Sequence, residues 1–121
     1  MYFENTGIED QKVDIVVADD LMRSYGLIRA AGWDFERVTW DRKFVVADGT
    51  YYLRVFAVAT EGDIGANDAV VKLLKPVLAK HYFPHGLEYS DAEIWPTQLV
   101  DRCKTILDSI HLDLNTFAIK A

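Results

Sequence analysis

The sequence lacks several features that are typical of particular classes of protein. Cys103 is the only cysteine among the 121 residues, so no disulfide can form within the chain and a reducing compartment is expected. No apolar run approaches the roughly 20 residues of a membrane span, and the first ten residues lack the basic and then apolar order of a signal peptide. These absences predict a cytoplasmic protein with no membrane partner.

Basic residues are also scarce. There are 13 Lys and Arg residues against 19 Asp and Glu, which gives a net charge of −6. Proteins that bind nucleic acid usually carry a basic patch, and the sequence has no cluster of Lys and Arg. We therefore expect no nucleic-acid partner. With no linker or repeat, and with half of the residues hydrophobic, residues 1–121 are predicted to form one domain.

Two strand-like segments flank Asp48-Gly49, a dipeptide typical of two-residue hairpin turns. A turn there pairs Phe44 with Leu53. Side chains alternate between the faces of a strand, so the apolar residues of both segments fall on one face, with Arg42 as its only charged residue. The apolar residues of this face are Val38, Trp40, Phe44, Val46, Tyr51, Leu53, Val55, Ala57 and Ala59.

The opposite face of the hairpin carries Tyr52, Phe56, Val58 and Val45 among polar residues. An antiparallel sheet usually leaves one face to water, and four large apolar side chains are more than such a face needs. Either other elements of the chain cover them, or they form a patch for a partner. A two-fold dimer is the commonest way to cover such a patch, so a homodimer is expected.

Helical patterns occur near both ends of the chain. "VVADDLMRSYG" predicts one helix, and the apolar stripe of "PTQLVDRCKTILDSI" predicts a second helix that ends before His111. Between them, "AVVKLLKPVLAKHY" has helical spacing, but Pro76 would break a helix, so a strand ending near Lys75 is expected. These elements predict an α+β two-layer sandwich, with an antiparallel sheet and helices packed on one face.

The densest chemistry lies in "KHYFPHGLEY", where His81, Tyr82, His85 and Glu88 form a candidate binding or functional turn. On a helix the two histidines could share a metal ion, but Pro84 excludes that spacing. In an extended strand, residues four apart lie roughly 13 Å from each other, too far for one ion. A turn through residues 84–86 could still bring the imidazoles together, with Glu88 as a third ligand.

Packing explains the same segment without any chemistry. Aromatic side chains there can pack against the fold while the proline and glycine turn the chain, and an acid–base role for the histidines is the alternative. We therefore predict no metal, no cofactor and no catalytic residue.

Three segments resemble the YugN-like family of small bacterial proteins. They run from Gly32 to Thr39, from Tyr51 to Val55 and from Lys80 to Gly86, and the resemblance covers about residues 21–89, although members often have glycine where this chain has Ala79. It implies a two-layer sandwich with a topology like one half of a TATA-box-binding protein, a likeness of architecture and not of DNA binding. The family has no assigned activity, so the resemblance carries over no catalytic residue.

These observations favour a non-enzymatic interaction protein that self-associates through the apolar patch. The first alternative is a small-ligand binding protein with a pocket between sheet and helices, lined by Trp40, Tyr52 or Phe56. The second alternative is an enzyme that depends on the histidines or on a metal.

Overall fold

The computed structural model describes residues 1–30, 36–82, 86–88 and 94–119. These residues form seven strands and two α-helices, with one short 3-10 turn after the fourth strand. The bounds are β1 Lys12–Asp14, α1 Ile15–Ser24, β2 Ile28–Arg29, β3 Arg37–Val46, β4 Gly49–Glu61, the 3-10 turn Ile64–Ala66, β5 Val70–Leu73, β6 Val77–Tyr82, β7 Gly86–Glu88 and α2 Thr97–Phe117.

Strand β4 is the centre of the sheet. It pairs with β3 along one edge, while β6 and β5 pair with the first and second halves of the other edge. Beyond them, β2 pairs with β3, β1 with β5 and β7 with β6. All of these pairings are antiparallel, as the sequence predicted.

Both helices pack on one face of the sheet, which we call the inner face. Trp40 of β3 donates a hydrogen bond to Asp19 of α1, and Arg102 of α2 stacks on Phe44 of β3. The inner face is the one predicted to be apolar, and most of its residues are fully buried. The α+β sandwich with helices on one face is therefore confirmed. Among the described residues, neither α-helix combines the length and apolar character that crossing a membrane requires.

The β3–β4 hairpin turns one residue earlier than the Asp48-Gly49 motif predicts. Residues 47 and 48 form the turn, so Phe44 pairs with Tyr51 and the predicted pairing with Leu53 is wrong. Gly49, the residue just after the turn, has a φ of +140°, which glycine adopts without the steric strain that a side chain would cause. The error is two residues in register, and because side chains alternate with a period of two, every side chain keeps its predicted face.

Pro76 interrupts an extended segment and does not end it. The predicted strand near Lys75 is confirmed as β5, but after residues 74–76 the chain continues as β6 along the same edge of β4. Proline has no N–H to give to a ladder, so it is tolerated where pairing is interrupted. The N–H of Leu74 donates to the carbonyl oxygen of Phe56 at 2.8 Å, which keeps the interruption against β4.

Helix α2 is longer than predicted. The predicted apolar stripe is buried, and it continues through Leu114, four residues after Ile110. The helix ends at Phe117, so the prediction that His111 follows it is wrong. The extra turns pack against the core through Leu114, which lay outside the sequence pattern used to place the helix end.

Candidate functional site

The four residues of the predicted patch lie on the outer face of the sheet, away from both helices. Tyr52, Phe56 and Val58 alternate along β4 and are half-buried, while Val45 of β3 is 73% exposed. Ile28 of β2 pairs with an outer-face residue of β3 and is 62% exposed. We call these five residues the sheet patch. Their shared face is confirmed, and their role in binding stays a prediction.

An ion pair lies in the middle of the outer face. Asp41 and Arg54 are directly opposite each other on β3 and β4. Both of the contacts between the guanidinium and the carboxylate measure 2.7 Å, and the two side chains are 14% and 20% exposed. A two-point contact of this kind is both strong and directional. The centre of the sheet patch therefore carries two opposite charges and no net charge.

The two ends of the outer face differ in charge. At one end, Arg37 pairs with Val58, which pairs in turn with Lys72 of β5. At the other end, Val45 pairs with Thr50, and neither is charged. Arg37 and Lys72 thus make one end of the outer face basic, and near the other end Lys43, which pairs with Tyr52, is the charged neighbour of Val45 on the same face of β3.

His81 and Tyr82 do not share a site. They are consecutive residues of β6, so their side chains project to opposite faces of the sheet. His81 lies on the outer face, with its ring centroid 6.3 Å from that of Tyr52 in an edge-on arrangement. Tyr82 lies on the inner side, where Nζ of Lys80 is 4.9 Å from its ring centroid.

The remaining residues of the candidate turn are only partly described. Glu88 pairs with Lys80 across the β6–β7 hairpin, and Gly86, with a φ of +87°, pairs with Tyr82. His85 lies outside the described residues, so its predicted approach to His81 stays a prediction. Within the described ranges, no group of three or more His, Cys, Asp or Glu side chains could hold a metal ion.

The pocket expected between the sheet and the helices cannot be lined as predicted. Trp40 lies on the inner face, fully buried, whereas Tyr52 and Phe56 lie on the outer face. The prediction is therefore wrong for Tyr52 and Phe56, while Trp40 lies on the expected side of the sheet.

A polar cluster that no sequence motif indicates holds α1 to the sheet. Oδ1 of Asp19 accepts hydrogen bonds from Nε1 of Trp40 at 2.8 Å and from Nε of Arg29 at 3.2 Å. Nη2 of Arg29 also contacts the second oxygen of the carboxylate. The three residues come from three elements, so only the tertiary fold brings them together.

Comparisons with known proteins agree with this description. The model of the YugN-like family matches residues 4–108. "Uncharacterized protein YlbA" of Bacillus subtilis (strain 168) is 47% identical over 114 residues, which cover 94% of this chain and 95% of the relative. The crystal structure of "uncharacterized conserved protein YugN" from Geobacillus kaustophilus HTA426 is similar with a TM-score of 0.84 and 47% identity, covering 96% of both chains. Neither name gives an activity.

Proposed function

The chain belongs to the YugN-like family, and we propose that it is a non-enzymatic binding protein that self-associates as a two-fold dimer through its outer face. The observation that carries this proposal is the sheet patch, where apolar side chains lie on the face of the sheet opposite the two helices. The family relationship supports the fold of the chain, and the proposal of a dimer rests on the geometry of the patch.

Exposed apolar residues at the margins of the patch support an interface. Val45 is 73% and Ile28 is 62% exposed, and both flank the half-buried aromatic residues of β4. Single exposed apolar side chains are ordinary, but several on one face are typical of interaction sites. Burial of such surface contributes about 25 cal/mol for each Å² removed from water.

The register of the strands favours a second copy as the partner. In the proposed dimer the two copies pack outer face against outer face, and the two-fold axis runs across the strands at Asp41 and Arg54. Each strand then lies over the same strand of the other copy in the reverse direction, so a residue two positions before this point lies over one two positions after it. Phe56 of one copy would then lie over Tyr52 of the other, and symmetry repeats the contact. Aromatic pairs across an interface contribute beyond the area that they bury.

The same axis keeps like charges at the ends apart. It sets Arg37 of one copy over Val45 of the other, so the two basic ends do not meet. At the axis, each carboxylate of Asp41 already holds the guanidinium of Arg54 in its own copy. Asp41 and Arg54 at the axis each lie over their own counterpart in the second copy, and the ion pair within each copy offsets these contacts between like charges.

A charge placed at Val45 tests this orientation. Val45→Lys puts a cation over Arg37 of the second copy and should weaken the dimer, whereas Val45→Glu puts an anion there and should tighten it. Each change should be about two- to fivefold, as for exposed ion pairs, and should shrink at high salt. Sedimentation equilibrium gives the dimer dissociation constant of each variant.

Leu112→Lys and Leu112→Glu are the matched controls, because Leu112 is 67% exposed on α2, on the other side of the sheet. They should leave the dissociation constant unchanged. Equal effects of Lys and Glu at Val45, or effects no larger than those at Leu112, would rule out this dimer.

A further inference from the structure

A groove runs between the β3–β4 hairpin and the first turns of α2. Arg42 and Phe44 line it from the hairpin, and Pro96, Leu99 and Arg102 line it from the helix side. Val45 of the sheet patch also borders the groove, whereas Tyr52 and Phe56 do not line it. Arg42 is also the residue that stands out in the sequence as the only charge on the apolar face.

Two guanidinium groups meet at one aromatic ring in this groove. The guanidinium carbons of Arg42 and Arg102 lie 5.0 Å and 5.2 Å from the ring centroid of Phe44. A cation over an aromatic face is attracted to it, so the ring holds both groups in place. Both groups are positively charged, so an anion in the groove would be attracted to each of them.

Three other arginines of the chain have a carboxylate partner. Arg23, Arg29 and Arg54 each contact an Asp side chain. In the described part of the chain, Arg42 and Arg102 have no Asp or Glu oxygen within 4.0 Å. Nη1 of Arg42 donates instead to the carbonyl oxygen of Tyr25 at 3.0 Å.

Within the described ranges, no acidic side chain forms an ion pair with either arginine of the groove. Asp48 also lines the groove, but it makes no ion pair with either guanidinium. The first turn of α2 carries no acidic residue. The positive end of the helix dipole therefore adds to the charge of the arginines, and an added anion would meet little repulsion from this side.

Two residues with buried, unpartnered hydrogen-bond donors neighbour lining residues of the groove, although neither lines it. The hydroxyl of Tyr51 and Nε1 of Trp95 are buried, and neither has a hydrogen-bond partner in the described structure. Tyr51 pairs with Phe44 across the hairpin, Trp95 precedes Pro96, and the two ring centroids are 5.9 Å apart. Buried donors without acceptors are rare and costly, so they mark a place where an acceptor is needed.

We propose that this groove binds a small molecule through a phosphate group, which Arg42 and Arg102 hold. A phosphate offers two negative charges and several acceptor oxygens, and the planar guanidinium matches it with paired hydrogen bonds. Phe44, Pro96 and Leu99 form an apolar wall for the rest of the molecule. Small-ligand sites commonly combine such a wall with a few polar groups.

Titration calorimetry with phenyl phosphate, inorganic phosphate and phenol tests this proposal on the full chain. Phenyl phosphate should bind and phenol should not, because the charge is required. Tighter binding of phenyl phosphate than of inorganic phosphate identifies an organic phosphate as the ligand, and equal binding identifies the free ion; both results support the phosphate site.

Arg102→Gln and Lys104→Gln are matched variants, since both residues are exposed on α2 and each change removes one positive charge. Arg102→Gln should weaken phosphate binding about tenfold through loss of a charge-assisted contact, while Lys104→Gln should leave it unchanged. Lack of phosphate binding by the wild type, or equal binding by the two variants, would overturn the proposal. Either result leaves the proposed dimer open to its own test, because Arg102 and Lys104 lie on α2, which packs on the inner face of the sheet.

Discussion

The indole N–H of Trp40 donates a 2.8 Å hydrogen bond to Oδ1 of Asp19, which ties β3 to α1. Trp40 is fully buried at the centre of the inner face, so its only polar atom depends on this acceptor. Arg29 of β2 donates to the same carboxylate. Asp19 thus ties α1 to both β3 and β2.

Removal of this carboxylate should destabilise the fold. Asp19→Ala leaves the donors of Trp40 and Arg29 without their acceptor, and should lower the free energy of unfolding by about 2–3 kcal/mol. Asp20→Ala is the matched control, because the neighbouring Asp20 makes only an exposed pair with Arg23, worth about 0.5 kcal/mol. Urea denaturation measures both, and equal losses would mean that the cluster adds nothing to stability.

A side chain at Gly7 should displace the ring of His111. Its φ is +77°, and a Cβ there would lie 2.4 Å from Nε2 of His111. Gly86 has a similar φ of +87°, with no described atom within 4 Å of its Cβ position. Alanine at either position carries the strain of positive φ, about 1–2 kcal/mol, and only Gly7→Ala adds a clash.

Gly7→Ala should therefore cost at least about 1 kcal/mol more than Gly86→Ala in thermal or urea unfolding. Adding His111→Ala should recover this excess, measured against His111→Ala alone. An absence of recovery would show that the ring of His111 does not limit the space at Gly7.

Cys103 should be unreactive in the folded protein. Burial in the apolar stripe of α2 raises the pKa of the thiol to about 12, although nearby Arg102 and Arg42 lower it in part. The reactive form of cysteine is the thiolate, so a thiol reagent at mildly alkaline pH should label the protein only after unfolding. Rapid labelling of the folded chain would show that the thiol is accessible.

The raised pKa of Cys103 also predicts a dependence of stability on pH. Because the folded pKa lies above the ordinary value of 9.0, the folded state holds a proton that the unfolded state loses. This contribution to stability is present below about pH 9 and is lost as the pH rises towards 12. Cys103→Ala should remove this part of the alkaline slope, and an identical slope in both proteins would contradict the assignment.

Alternation of apolar residues predicted the faces of β3 and β4 correctly even though the turn was misplaced. The Asp-Gly dipeptide signals a tight turn nearby, but it does not distinguish a glycine inside the turn from one just after it. The slip moved the partner of Phe44 from Leu53 to Tyr51, a shift of two residues, so the side chains kept their faces.

The sequence segments that resemble the YugN-like family indicated its membership correctly, and the match to the family confirms it.

Contacts between distant segments could not be predicted in the same way. Arg42 stood out as a charge on an apolar face, but its meeting with Arg102 depends on how α2 crosses the sheet. The unpartnered donors of Tyr51 and Trp95 appear only when burial is known. The local spacing of apolar residues predicts which face of a strand and which stripe of a helix are buried. The candidate sites, in contrast, arise from the packing of one element on another.

Sedimentation equilibrium of the wild-type chain, from low micromolar to submillimolar concentration, tests the proposed dimer most directly. The proposal predicts a mass that rises from one chain of 13.8 kDa towards two chains and then stops, because a two-fold interface is closed. A mass of one chain at every concentration, or growth beyond two chains, would contradict it.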